Sequence, residues 1–307
     1  MNRSVIAAIA AVLGLAPVSG SCTMASANAN CFTRSEPALP TAQKVRANLS
    51  NGEVGRSIYD AVTDGDIDRV AEIVRANPQA LGTHRVLREG ERPSNGNVGD
   101  LLTFAVAQCD PQMVGALLEL GADPDGQPAG LPLTYAVLAD DPTMATMLLQ
   151  AGANPDAVSG EGRTPLAEIL HYERTDAVRL LARAGADVNR PDAVGATPLE
   201  SALLFKDYAS ARELLEAGAN PWQVGTKGRT PAWSMAQAVE GGDAPPALAE
   251  LAAKAREQSA FWPPAPPAEI ARKFTSGTWP TEEMKAAGYI APPAAMASLR
   301  RIRERGE

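Results

Sequence analysis

Apolar residues recur along the middle of the chain at helical spacing, as in Ile67, Val70, Ile73 and Val74 or Ala177, Val178, Leu180 and Leu181, with polar residues between them. One apolar stripe per stretch predicts amphipathic helices that are buried on one side. Their punctuation is periodic. Pro132, Pro165, Pro198 and Pro231 stand 33 residues apart, and so do Gly152, Gly185 and Gly218. From each of the first three prolines to the glycine that follows is always 20 residues. A length that constant predicts two packed helices per period, because a change in either would break contact with its neighbours. Thr164-Pro165, Thr197-Pro198 and Thr230-Pro231 read as helix starts, with Thr as cap and Pro at the first helical position. Gly185 and Gly218 end the second helices, where positive φ is accessible.

The 20-residue interval recovers two degenerate periods upstream. Leu101 to Gly121 carries Leu102-Thr103-Phe104-Ala105-Val106, which reproduces Leu133-Thr134-Tyr135-Ala136-Val137, and Ser57 to Asn77 reads as an N-terminal cap. Downstream, Pro231–Glu240 and a longer polar helix over Pro246–Gln258 are suited to closing the stack. The chain therefore divides into a targeting segment at 1–29, an N-terminal arm at 30–56, a repeat domain at 57–258, and a Pro-rich linker and tail at 259–307. The tail carries aromatic residues and is expected either to dock in part on the last repeat or to stay disordered, with short helices at Thr281–Gly288 and Ala294–Arg303. Connections of 13 residues join the regular periods, but 121–132 is clipped by two and 77–101 is enlarged by about eleven. The enlarged segment, with His84, Arg85, Arg88, Arg92, Ser94 and Asn95, is either functional or disordered.

The sentence Gly162-Arg163-Thr164-Pro165-Leu166-Ala167, its counterpart Gly195-Ala196-Thr197-Pro198-Leu199-Glu200, and the ending Gly185-Ala186-Asp187-Val188-Asn189 resemble the ankyrin repeat family. The resemblance covers about residues 57–258. It implies an all-α solenoid of about six helix-pair units with short β-hairpin fingers, which binds protein partners through its fingers and concave face. One departure recurs: the family's His after Thr-Pro-Leu is replaced by Thr134, Ala167, Glu200 and Trp233, which implies units with less support for the turn.

Composition narrows the setting. A net charge of −8 over 307 residues argues against a nucleic-acid partner, and the basic run Arg300–Arg305 reads as a solvated helical end. Arg3, the apolar Val5–Ala16 and small-residue sites at Ala25-Ser26-Ala27 and Ala27-Asn28-Ala29 form an export signal too short to span a bilayer. A periplasmic destination in a Gram-negative-like cell is expected. Cys22 offers a competing lipid-anchor reading, though no large aliphatic residue sits three before it. Cys31 and Cys109 then remain, and an oxidising compartment favours joining them; two free thiols are the alternative.

No pattern for chemistry stands in the chain. His84 and His171 are the only histidines, no zinc-ligand spacing or phosphate loop occurs, and neither enzyme activity nor a cofactor is expected. Offsets from Thr-Pro-Leu nominate the partner-binding positions Phe104, Gln108, Tyr135, Leu138, Glu168, His171, Tyr172, Ser201, Leu204 and Phe205, with Trp222 at a finger base. Phe104, Tyr135, Tyr172 and Phe205 either form an exposed aromatic stripe or turn inward between helices. The expected function is that of a monomeric, non-catalytic protein-binding module. An inhibitor or protective partner of a periplasmic enzyme or toxin, and a lipid-anchored scaffold, are the alternatives.

Overall fold

Threonine hydroxyls and aspartate carboxylates start the helices of this protein, and left-handed glycines end them. The computed structural model describes residues 31–32, 45–91, 99–126, 131–139, 141–159, 162–242, 244–257, 262–291, 295–297 and 299–300. Six helix pairs follow one another in it: α1 (Gly52–Thr63) and α2 (Ile67–Ala76), α3 (Leu101–Ala107) and α4 (Pro111–Glu119), α5 (Leu131–Leu138) and α6 (Thr143–Gln150), α7 (Pro165–Ile169) and α8 (Thr175–Arg183), α9 (Pro198–Leu204) and α10 (Tyr208–Glu216), α11 (Pro231–Glu240) and α12 (Pro246–Glu257). Thr164, Thr197 and Thr230 accept the N–H groups of Ala167, Glu200 and Trp233 at 3.2, 3.1 and 3.1 Å. Gly121, Gly152, Gly185 and Gly218 hold φ between 90° and 96°, a region closed to most side chains. The first pair begins at Gly52, five residues before the 20-residue interval places it, after the left-handed Asn51.

Second helices open on a repeated cap. Asp66, Asp110 and Asp207 accept the N–H of Arg69, Met113 and Ser210, and Asp141 serves Thr143. Arg174 stands where this aspartate is due, and no side chain caps α8. Its buried guanidinium instead donates to the carbonyls of Leu138 and Ala139, one pair earlier. A cation there faces the negative end of α5, so a lost cap is exchanged for a brace between neighbours. The residue before these caps takes the left-handed region in Gly65, Cys109, Glu173 and Lys206.

Stacking buries one continuous core. Ile58, Leu101, Leu117, Leu133, Leu148, Leu166, Ile169 and Leu181 are essentially inaccessible, and each such side chain contributes about 1.5–3 kcal/mol. Consecutive fingers are also pinned by a ladder of short polar side chains. Asp125 accepts the N–H of Asn154, Asp156 that of Asp187, and Asn189 that of Asn220. The described parts of the fingers contain isolated bridges and no strands, which differs from the expected β-hairpins. Each instead closes on a backbone bond from the N–H of Ser159, Asp192 and Gly225 to the carbonyl of Arg163, Ala196 and Arg229. Three residues lie between the two bonded groups in each, and no ladder extends from them among the described residues.

Both ends of the stack are covered. In the enlarged connection, Pro78–Gly82 forms a 3₁₀ turn and 84–86 pairs singly with Leu49 and Asp100; Arg92, Ser94 and Asn95 lie outside the described residues. Cys31 and Cys109 have their sulfurs at bonding distance and their Cα atoms 5.8 Å apart, and Phe32 is buried beside them. Residues 1–29, read from the sequence as a targeting segment, and with them Cys22, lie outside the described residues. At the far end the tail forms α13 (Pro267–Thr275), which the sequence pattern does not predict, and α14 (Glu282–Ala286). Ile270, Met284, Tyr289 and Leu299 close a second core over Trp222, Val224 and Ala232. The Val224 N–H donates to the Ile290 carbonyl at 2.7 Å, and Asn220 carries the polar ladder on to Gly288.

Ile270 is fully buried in that second core, so Ile270→Ala should cost about 2–5 kcal/mol locally. Limited proteolysis is expected to cut the variant within residues 262–291 while leaving 165–242 intact. Cleavage spread evenly over the repeats would show that the tail is not a separate packing unit.

Candidate functional site

The first helices of the fourth and fifth pairs, α7 and α9, are short and end in Leu170 and in Leu204-Phe205. Leu170 is buried, but Leu204 is 72% exposed and Phe205 44% exposed. Val194, at the tip of the finger between them, is 66% exposed. Together with His171, Arg163, Arg190, Ser201 and Thr226 they line an apolar pocket of about 180 Å³. His171 packs edge-on against Phe205, ring centroids 4.3 Å apart, which holds the phenyl ring in place although it faces solvent.

Polar groups around the pocket are fixed by one another. Arg163 pairs with Glu168 at 3.2 Å, donates to the Ala167 carbonyl, and reaches His171 Nε2 at 2.5 Å. A guanidinium can only donate, so Nε2 accepts and the imidazole proton sits on Nδ1. Burial, reinforced by the Arg163 charge and opposed by Asp192, holds the His171 pKa below its ordinary value. Glu200 fills the position of the family's histidine. Its carboxylate accepts both the N–H and the hydroxyl of Thr226 on the next finger, so turn support is supplied there by a different group. A Cβ at Gly225 would lie 1.7 Å from Glu200 Oε2, which leaves glycine as the residue that fits. Burial raises the Glu200 carboxyl above its ordinary range, against the lowering effect of those bonds. At the fourth and sixth pairs, Arg163 on the Ala167 carbonyl and Arg229 over the Trp233 ring, 5.9 Å away, occupy the same neighbourhood.

The nominated residues divide sharply. His171, Ser201, Leu204 and Phe205 come together in the pocket, with Glu168 held beside it. Phe104, Tyr135 and Leu138 do not belong to a surface. Tyr135 is 1% exposed on α5, a helix whose side chains from Leu133 to Leu138 are all buried, and an all-round apolar helix has no solvent face. Phe104 is spent edge-on against Tyr59 of the preceding pair at 5.2 Å. Tyr172 is half-buried against the core, and Gln108 is an exposed helix end that does not line the pocket. Trp222 is 2% exposed beneath the tail, against Tyr289 at 5.4 Å and Trp262 at 6.5 Å. Val194 escaped the offset rule because it lies on a finger; its signal is an apolar residue inside the turn Asp192–Gly195.

Elsewhere a wider cleft of about 470 Å³ opens between α5–α6 and α8, floored by Ala136, Ala139 and Ala145 and edged by Glu173 and Arg174. Among the described residues no cluster of three or more His, Cys, Asp or Glu could hold a metal ion. No helix among them is long and apolar enough to cross a membrane.

Residues 133–224 match the family model of ankyrin repeats, in 3 copies. Over that stretch the chain is similar to the ankyrin repeat family. Such repeats generally mediate protein–protein interaction and are typically non-catalytic modules. No curated protein matches the chain.

The neutral state of His171 makes the pocket sensitive to acid. A depressed folded pKa means that the unfolded chain takes its proton first, so this residue's stability contribution is present above about 6.5 and is lost as pH falls below it. NMR titration of the imidazole should give a midpoint below 6.5, rising in Arg163→Ala. A midpoint at or above 6.5 in the native protein would contradict the contact.

Proposed function

We propose that the six helix pairs act as one ankyrin array which, after export to the periplasm, binds a protein partner at the pocket between the fourth and fifth pairs and performs no chemistry of its own. The observation that carries this reading is the exposure of Leu204, Phe205 and Val194 side by side on a rigid corner. Exposed apolar side chains that cluster at a concavity mark interaction sites, whereas isolated ones need no explanation. Because the surrounding side chains are already bonded to one another, little ordering accompanies association. The approach of Cys31 to Cys109 suits an oxidising compartment, in which a bond between them would strap the arm to the second pair.

Photo-crosslinking from position 205, with p-benzoylphenylalanine in place of Phe205, tests the reading in the periplasm of the native cell. One discrete crosslinked partner is expected, and Leu204→Asp should weaken its binding by about 2 kcal/mol, the scale of an interface hot spot. A crosslinker placed at Val239 that captured the same partner while position 205 captured nothing would move the site elsewhere.

A further inference from the structure

Charge is distributed unevenly around this pocket. Its carboxylates are all turned inward: Glu168 pairs with Arg163, Asp192 accepts the Val194 and Ala196 N–H groups of its own turn, and Glu200 is bound by Thr226. The cations at the same rim are not matched. Arg190 lines the pocket and reaches only the carbonyl of Asp156, at 3.4 Å, while Lys206 and Lys227 follow the lining residues Phe205 and Thr226 into solvent with no ion pair among the described residues.

The second-helix face is the opposite. There Arg179 binds Glu213, Arg212 binds Glu250 and Lys254 binds Glu216, each at 2.6 Å and each between neighbouring pairs. In a chain of net charge −8, these three cations are paired within the array, whereas Arg190, Lys206 and Lys227 have no ion pair among the described residues. The pocket itself is small. An apolar cavity of about 150 Å³ accommodates a benzene ring, so about 180 Å³ takes one aromatic or branched aliphatic side chain.

We infer that the occupant is an acidic protein segment, which inserts one aromatic or branched aliphatic side chain between His171, Leu204 and Phe205 and lays its carboxylates against Arg190, Lys206 and Lys227. This rests on the protein-binding reading above and adds the chemistry of the partner. The division of labour follows from magnitudes. Exposed ion pairs contribute little each, so the buried anchor supplies affinity, while the rim cations speed association and reject basic or neutral competitors.

Panning phage-displayed random dodecapeptides on the intact protein tests this without knowledge of the natural partner. Enriched peptides should carry net negative charge around a single Phe, Trp, Leu or Ile. Their affinity should fall roughly tenfold or more in Phe205→Ser, and comparably in the double variant Lys206→Glu, Lys227→Glu. It should also weaken as salt rises from about 50 to about 500 mM. All three side chains are exposed, and thermal melts identical to the native protein would show that the variants fold. Neutral or basic peptides that still require Phe205 would overturn the acidic partner while leaving the protein-binding pocket standing. Peptides indifferent to Phe205 would overturn both. A failure to enrich any peptide would overturn the segment-in-pocket inference alone, provided that crosslinking from position 205 still captures a protein.

Discussion

A helix pair of this array cannot bury its apolar faces by itself. α8, for example, hides Val178 and Leu181 completely, yet its own partner α7 is only five residues long and covers one side. The remaining surface must be supplied by the next pair, so stability is a sum over neighbouring interfaces and the spacing of every pair is tied to that of the next. This is why the 20-residue interval from Pro165 to Gly185 recurs unchanged from Pro198 to Gly218. Short polar side chains then fix the register that burial alone would leave loose. Asp156 and Asn189 each accept a backbone N–H from the following finger, where either a longer or an apolar side chain would leave that donor without its partner.

The same constraint explains what happens at the ends and at the exceptions. An open end would present an apolar face to water, and the tail removes it by closing Ile270, Met284 and Tyr289 over Trp222 and Val224. Where the Asp cap of the second helix gives way to Arg174, the pairs are held by a buried cation on the Leu138 and Ala139 carbonyls, beside the cleft between α5–α6 and α8. At the corner of α7 and α9, Leu204 and Phe205 remain at the surface, and the pocket results. The proposed binding corner thus lies where apolar side chains stay uncovered, with regular pairs on either side.

Much of the fold was legible in the residues because its punctuation is chemical. Proline and threonine mark a helix start, and glycine marks an end that requires positive φ, so their spacing reports helix length directly. The candidate site was less legible. His171, Leu204 and Phe205 follow from their offsets, but Phe104 and Tyr135 occupy offsets of the same kind and are buried, because packing from a neighbouring pair decides which way a ring turns. The unbroken apolar run of α5 carried that information for Tyr135. Nothing near Trp222 announces its burial, which depends on Tyr289, 67 residues later and outside the repeat period. The replacement of Asp141 and Asp207 by Arg174 at the intervening position was visible as a break in period, though its carbonyl partners were not.

The central claim is that a partner docks at the corner between the fourth and fifth pairs and leaves the second-helix face free. Amide hydrogen exchange of the chain, alone and bound to the protein captured from position 205, tests this most directly. The account predicts slowed exchange across residues 190–206, on the finger and α9, with α8 and α10 unchanged. Protection confined to Thr175–Arg183 and Tyr208–Glu216, with none at 190–206, would contradict it.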